Sequence, residues 1–216
     1  YFIFNKCSVQ MSKSLKIYIK TLGCKINSFD SGVLEKQLAE KKYEITEAVK
    51  EAHVAIINSC SVTENAEKDA RYLLRRFKRD NPNSKRIITG CYAQIDSANL
   101  AELDEVDFVV PNEAKESLVD IIYEREKDGT LGNSESKLPS GLKAVSGNRQ
   151  SHFKSSLTLF DKSESSKTRV FVKIQDGCNG FCAYCQIPYA RGASRSVLPS
   201  KVVEEIKRLS DEGVQE

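Results

Sequence analysis

The sequence is poor in histidine and methionine and has no long apolar run. Its two histidines, His53 and His152, stand at no ligand-like offset from the cysteines, so a zinc site there has no fourth ligand nearby. No apolar stretch approaches the ~18 residues of a membrane span. The single methionine is Met11, and the apolar stretch before it is shorter than the ~7–15 residues of a secretory core. The expectation is that translation starts at Met11, that residues 1–14 are a non-native or disordered leader, and that Cys7 is incidental. The seven cysteines are odd in number and follow no disulfide-like spacing, which points to a reducing cytoplasm and metal ligation.

What is present is an ordinary globular composition, 40% hydrophobic and 29% charged over 216 residues, enough for one large domain or two small ones. A net charge of +3 permits a nucleic-acid partner without arguing for one.

Strand and helix patterns alternate along the first half. Leu15–Thr21 alternates as a half-buried strand, and Asn27 or Ser28 is placed to cap a helix to about Lys42. Ala52–Ile57 reads as a second strand. A helix follows from Thr63 to about Asp80, stopped by Pro82. Arg86–Thr89 reads as a third strand, then come a short helix near Ala98–Leu103, a strand Val106–Val110 and a helix Glu113–Glu126. Such alternation implies an α/β fold, an open parallel sheet with helices on both faces, over residues 15–126. Residues 127–167, rich in Gly, Ser, Lys and Asn, read as a linker. A second unit starts near Thr168 with a strand-like run, Arg169–Ile174, and closes on an amphipathic helix, Val202–Leu209, with Val214-Gln215 positioned to open another strand. One strand and one helix bury no core of their own, so residues 168–216 read as the start of a truncated domain.

Two cysteine groups carry the chemistry. Gln175-Asp-Gly-Cys-Asn-Gly-Phe-Cys-Ala-Tyr-Cys185 holds Cys178, Cys182 and Cys185 in a C-x3-C-x2-C loop, with Gly177 and Gly180 permitting a tight fold. Three thiolates can converge on one metal centre. Zinc would want a fourth ligand, whereas a four-iron cluster held by three cysteines keeps one iron open to a small molecule. The second group is dispersed: Ile19-Lys-Thr-Leu-Gly-Cys24, Ile56-Ile-Asn-Ser-Cys60 and Ile87-Ile-Thr-Gly-Cys91 each end a strand in a small residue and a cysteine. Ligands collect at that edge of a parallel sheet. Each cysteine alone reads as a small buried hydrophobe, but three at one edge read as a second iron–sulfur site, again with an open iron.

The C-x3-C-x2-C loop resembles that of radical S-adenosylmethionine enzymes, and both triplets together, after these strands, resemble the radical-SAM methylthiotransferases. Thr21-Leu-Gly-Cys-Lys-Ile-Asn27 is most similar to the branch acting on N6-threonylcarbamoyladenosine beside the tRNA anticodon. The isopentenyladenosine branch usually has Gln where this chain has Lys25, and the ribosomal-protein branch tends to have Lys where it has Ile26. The resemblance covers roughly Lys16 to Glu216 and implies a cluster domain followed by the start of a radical-SAM (β/α) partial barrel. It implies two [4Fe-4S] clusters: one on Cys178, Cys182 and Cys185 that binds S-adenosylmethionine, and an auxiliary one on Cys24, Cys60 and Cys91. The implied reaction is insertion of sulfur and a methyl group at C2 of adenosine 37, starting from a 5′-deoxyadenosyl radical. tRNA, an electron donor and a sulfur source are the implied partners, and no membrane is involved. The same chemistry on a ribosomal protein or on isopentenyladenosine tRNA, and a non-catalytic iron–sulfur or zinc module, are the alternatives. The rest of the barrel and an RNA-binding domain are absent from the chain, so the fragment by itself is expected to be inactive.

Two basic groups are candidate contacts. Arg191 and Arg195 flank Gly192 beside the cluster loop, within reach of S-adenosylmethionine or RNA phosphates, although surface exposure alone would explain them equally well. Arg71, Arg75, Arg76, Lys78 and Arg79, with Lys85 and Arg86 beyond, could steer tRNA, although a charge run is usually a solvated face.

Overall fold

A computed structural model describes residues 15–129, 131 and 170–216. The leader at 1–14, Cys7, His152 and nearly all of the 127–167 linker lie outside the described residues.

Five strands form one parallel sheet: β1 (Lys16–Thr21), β2 (Glu44–Ile45), β3 (Val54–Ser59), β4 (Lys85–Gly90) and β5 (Phe108–Pro111), in the order β2-β1-β3-β4-β5. All four ladders are parallel, with Ile17 opposite Val54, Ile56 opposite Ile87 and Ile87 opposite Phe108. The order reverses between β1 and β3. At such a switch point the loops leaving the two strands run to opposite faces and open a crevice at their carboxyl ends.

Alternation along the strands builds two cores. Ile17, Val54, Ile56, Ile87, Phe108 and Val110 face α1 (Lys25–Glu40) and α5 (Leu118–Lys127), which contribute Leu34, Leu38, Leu118 and Ile122. Ala55, Ile57, Ile88 and Val109 face α2 (Glu64–Asp80) and the short α3 (Cys91–Ile95) and α4 (Ser97–Glu102), through Leu74, Phe77, Tyr92 and Leu100. Every residue of β3 is buried, as expected of a central strand covered on both faces. Each large apolar side chain so enclosed stabilises by about 1.5–3 kcal/mol.

Several boundaries differ from the sequence reading. α1 begins at Lys25 with Cys24 at its N-cap, and Asn27 lies inside the helix, fully buried, instead of capping it. β2 was not expected: its two exposed residues gain order only from pairing with β1. The helix expected from Glu113 begins at Leu118, after a 3₁₀ turn at Lys115–Ser117.

The run Arg169–Ile174 forms no strand over its described residues. Its backbone is held at isolated points, where Val170 N–H donates to the Glu216 carbonyl and Val197 N–H to the Ile174 carbonyl, both at 2.9 Å. A strand needs a continuous partner, and the first one met is antiparallel: β6 (Gln175–Asp176) pairs with β7 (Arg195–Ser196). Between them lie the cysteine loop and α6 (Ile187–Arg191), and α7 (Pro199–Asp211) follows. The expected helix Val202–Leu209 lies inside α7. No helix among the described residues is long and apolar enough to cross a membrane.

Candidate metal centre

Cys24, Cys60 and Cys91 stand directly past the carboxyl ends of β1, β3 and β4, the first two at the switch point. Cys24 is exposed, and Cys60 and Cys91 are buried. Two glycines let the cysteine loops close up. Gly23 has φ +95°, and a Cβ there would lie 2.6 Å from the Cys60 sulfur. Gly90 has φ +98°, and a Cβ would lie 2.2 Å from the Ser59 carbonyl oxygen. Neither position admits a larger residue without displacing a cysteine loop. Beside these cysteines, Ser61 Oγ and Thr89 Oγ1 are buried without a hydrogen-bond partner, in residues 4% and 0% exposed.

Asn27 ties the loops together. Its amide donates to the Leu22 carbonyl (2.8 Å) and the Ser59 carbonyl (2.9 Å), joining the residues that precede Cys24 and Cys60. Its side-chain oxygen accepts from Arg191 of the second segment at 2.7 Å. It lies on the same helical stripe as Asp30, Leu34 and Leu38, where polar side chains on an otherwise core-facing row were the readable signal.

The second triplet occupies the loop between β6 and α6. Cys178 and Cys185 are partly buried and Cys182 is exposed. The sulfurs of Cys178 and Cys182 lie 3.4 and 3.7 Å from where a Cβ on Gly180 would stand, so the absent side chain leaves a small cradle between them. Gly180 N–H also donates to the Cys178 sulfur at 3.4 Å. Gly177, at φ +72°, lets the loop start against Ala193, whose carbonyl oxygen would be 2.2 Å from an added Cβ. Among the described residues, no three histidine, cysteine or acidic side chains are gathered as a ready-made set of ligands for one ion. The residues nevertheless suit a thiolate-ligated centre: every donor is an unbridged cysteine, and the glycines leave room at the sulfurs.

Asn112, just after β5, connects the two groups. Its amide donates to the Cys91 sulfur (3.5 Å) and to the Ala190 carbonyl on α6 (2.9 Å). Lys25, next to Cys24, lies 4.9 Å from the ring centroid of Phe171. Residues on both sides of the second triplet's loop therefore rest against the edge that carries the first.

A buried polar layer underlies that edge. Lys173 donates to Asp30 (2.8 Å) and Asp176 (3.0 Å), Arg191 to Asp30 (3.2 Å) and Asp176 (3.0 Å), and Lys115 to Asp30 (3.2 Å) and Asn58 (3.0 Å). Burial favours the neutral form of Asp30, but Lys115, Lys173 and Arg191 outweigh it and hold the carboxyl below its ordinary range. Asp176, against the same burial, is brought down to about 2 by Arg191 and Lys173. Burial lowers the Lys115 ammonium despite Asp30. For Arg191, Asp30, Cys91 and Asp176 overcome desolvation and raise its affinity for its proton. Arg195 reaches Asp176 at 3.5 Å. A cleft of about 270 Å³ opens beside this layer, lined by Gln37, Lys115, Asp120 and Arg195 among others.

Arg191 is thus no surface residue: it is 4% exposed and committed to Asn27, Asp30 and Asp176. Sequence reasoning also missed Asn27, Asp30, Asn58, Asn112, Lys115, Lys173 and Asp176. The basic residues of α2 lie elsewhere. α2 returns from the cysteine edge, so Arg75 and Arg79 come near the opposite edge, where the Asn81 amide donates to the Val49, Lys50 and Ala52 carbonyls. They pair with Glu105 (3.7 Å) and Asp80 (3.3 Å), and Arg71 donates to Tyr92 (2.6 Å). Arg86 is buried against Asp107 at 2.6 Å and is a structural cation.

Residues 16–111 match a family model described as "Uncharacterized protein family UPF0004". The chain is 36% identical over 206 residues to the threonylcarbamoyladenosine tRNA methylthiotransferase MtaB of Aquifex aeolicus, covering 94% of this chain and 46% of that protein. It is 33% identical over 196 residues to the same-named protein of Bacillus subtilis, covering 91% and 41%. It is 34% identical over 210 residues to the tRNA-2-methylthio-N(6)-dimethylallyladenosine synthase of Syntrophus aciditrophicus, covering 93% and 41%. The chain spans less than half the length of these relatives.

Proposed function

We propose that the chain, which is similar over most of its length to threonylcarbamoyladenosine tRNA methylthiotransferases, is part of an enzyme of that family that methylthiolates N6-threonylcarbamoyladenosine 37 of tRNA. The observation that carries this reading is Asn112, whose one amide reaches both Cys91 of the first triplet and α6, next to the second.

Cys178, Cys182 and Cys185 would hold a four-iron cluster that binds S-adenosylmethionine, and Cys24, Cys60 and Cys91 an auxiliary one. When bound, these groups would supply the radical chemistry and the sulfur that an unreactive aromatic C–H requires. The protein's part is ligation, orientation and shielding. Gly23 lets the loop bearing Cys24 approach Cys60, Gly90 lets the loop bearing Cys91 approach Ser59, and Asn27 fixes the loops before Cys24 and Cys60. Asn112 donates to the Cys91 sulfur and so fixes where it stands. Arg191 and Lys173, buried on Asp30 and Asp176, hold the second loop over the first.

Iron and acid-labile sulfide per chain after anaerobic purification test this reading, with Cys24→Ala and Cys182→Ala alongside. About eight irons, falling to about four in either variant, are expected. Zinc or no metal in the wild-type chain and in the longer protein would sink it. Because relatives carry the dimethylallyladenosine name as well, the nucleoside is tested separately, by mass analysis of tRNA from a deletion strain. Loss of the methylthio group from threonylcarbamoyladenosine supports the assignment, and loss from the isopentenyl nucleoside moves it to that branch.

A further inference from the structure

Six charged side chains meet where the second segment rests on α1 and on the turn after β5. Asp30 and Asp176 face Lys115, Lys173, Arg191 and Arg195. Five of these side chains are between 3% and 14% exposed. The pairs cross between units. Asp30 and Lys115 belong to the sheet domain, whereas Lys173, Asp176 and Arg191 flank the Cys178–Cys185 loop on both sides.

Besides these pairs, Asn112 on the Ala190 carbonyl, Asn27 on Arg191 and Lys25 over Phe171 join the segment to the sheet domain, and its apolar burial is slight. Its large apolar side chains Phe171, Ile174, Phe181, Tyr189 and Leu198 are exposed, and among its described residues only Pro188, Ala190 and Leu209 are buried apolar ones. Apolar contact is also weakly directional, whereas the paired charges fix both approach and rotation. One Asp30 oxygen takes Lys173 and the other takes Lys115 and Arg191, so a single carboxylate joins the residues before the loop, the residues after it and the sheet domain.

We infer that Asp30 is a positioning residue, the hub of an ionic latch with Lys173 and Arg191 that holds the Cys178–Cys185 loop at a fixed place over the edge carrying Cys24, Cys60 and Cys91. This rests on the two-centre reading above, where sulfur transfer demands a set separation and a displacement of about 1 Å is costly. Asp30 touches no reacting atom. It acts through the two cations that bracket the loop.

Hydrogen exchange read by mass spectrometry on the 216-residue chain tests the latch, using Lys173→Met, Lys173→Arg and Asp30→Asn. In Lys173→Met, peptides spanning 175–192 exchange about tenfold faster or more, while β1, β3 and β4 keep their protection. Lys173→Arg restores the protection because it restores the charge, and Asp30→Asn behaves as Lys173→Met. After cluster reconstitution, iron per chain is unchanged in Lys173→Met because every cysteine remains. The magnetic coupling between the two reduced centres, seen as broadening of their EPR spectrum, weakens in Lys173→Met and returns in Lys173→Arg. Unchanged protection at 175–192 in Lys173→Met overturns the latch. So does protection lost evenly across the strands, which would make the cluster a general stabilising element. A wild-type protein that takes up no iron would overturn the two-centre reading instead, and the exchange data would still decide the latch.

Discussion

Asp30 and Lys173 stand 143 positions apart in the sequence and meet at 2.8 Å, with side chains 10% and 7% exposed. Such a pair recovers little net energy from its own attraction, because both charges have left water. Its cost appears when one partner is removed.

Asp30→Ala would leave Lys115, Lys173 and Arg191 without their shared carboxylate. A loss of up to about 3–5 kcal/mol is expected in the local opening free energy of residues 175–192, measured by hydrogen exchange, with the strands of the sheet keeping theirs. A loss below about 1 kcal/mol would show that Asp176 and Asn58 can hold the cations without it.

Acid should weaken the protein through the same carboxylates. Asp30 and Asp176 both have folded-state pKa values below the ordinary 3.8, that of Asp176 about 2, so the unfolded chain takes up their protons first. Their stabilisation is complete above pH 3.8 and is lost as pH falls toward 2. The urea midpoint should fall between about pH 4 and pH 2, and fall less steeply in Asp30→Asn. An equal pH slope in the two proteins would remove Asp30 from this account.

Glycine at positions 23 and 90 should be irreplaceable. Gly90→Ala combines a left-handed backbone with a Cβ 2.2 Å from the Ser59 carbonyl oxygen, and roughly 2–4 kcal/mol of destabilisation is expected. Gly23→Ala would drive a methyl group into Cys60 and should lower iron uptake by the first triplet while sparing the second. Thermal melts and iron per chain read the two effects, and a Gly23→Ala protein with full iron content would contradict the second.

Charge reversal on α2 should leave nucleic-acid binding alone. Arg75 and Arg79 lie toward the sheet edge opposite the cysteines, and each already has an acidic partner. In the tRNA-binding assay that the proposed function calls for, Arg75→Glu with Arg79→Glu should change affinity by less than about twofold and the salt slope by less than about one. A larger drop in both would return the basic helix to the RNA interface.

The α/β class, the parallel sheet and the cysteine-bearing strand ends were legible in the sequence, because they depend on local periodicity and spacing. Ile17, Val54, Ile56 and Ile57 read as buried strands, and three strands ended in similar words. Where the strands lay was not legible. The order β2-β1-β3-β4-β5, and with it the switch point between Cys24 and Cys60, follows from how covered faces pack and leaves no mark on any one strand.

The buried charges were hidden for a related reason. Asp30, Lys115, Lys173 and Arg191 each look like a solvated residue of a helix, turn or loop, because their cost of burial is offset only by partners far away in the chain. Asn27 was read as a helix cap from its neighbours alone, whereas its side chain bonds Leu22, Ser59 and Arg191. The sequence by itself determined which residues can ligate, since a thiol is a property of one side chain. Only the tertiary structure decided which charges stand between the two triplets, because a buried ion pair exists only once both partners have left water together.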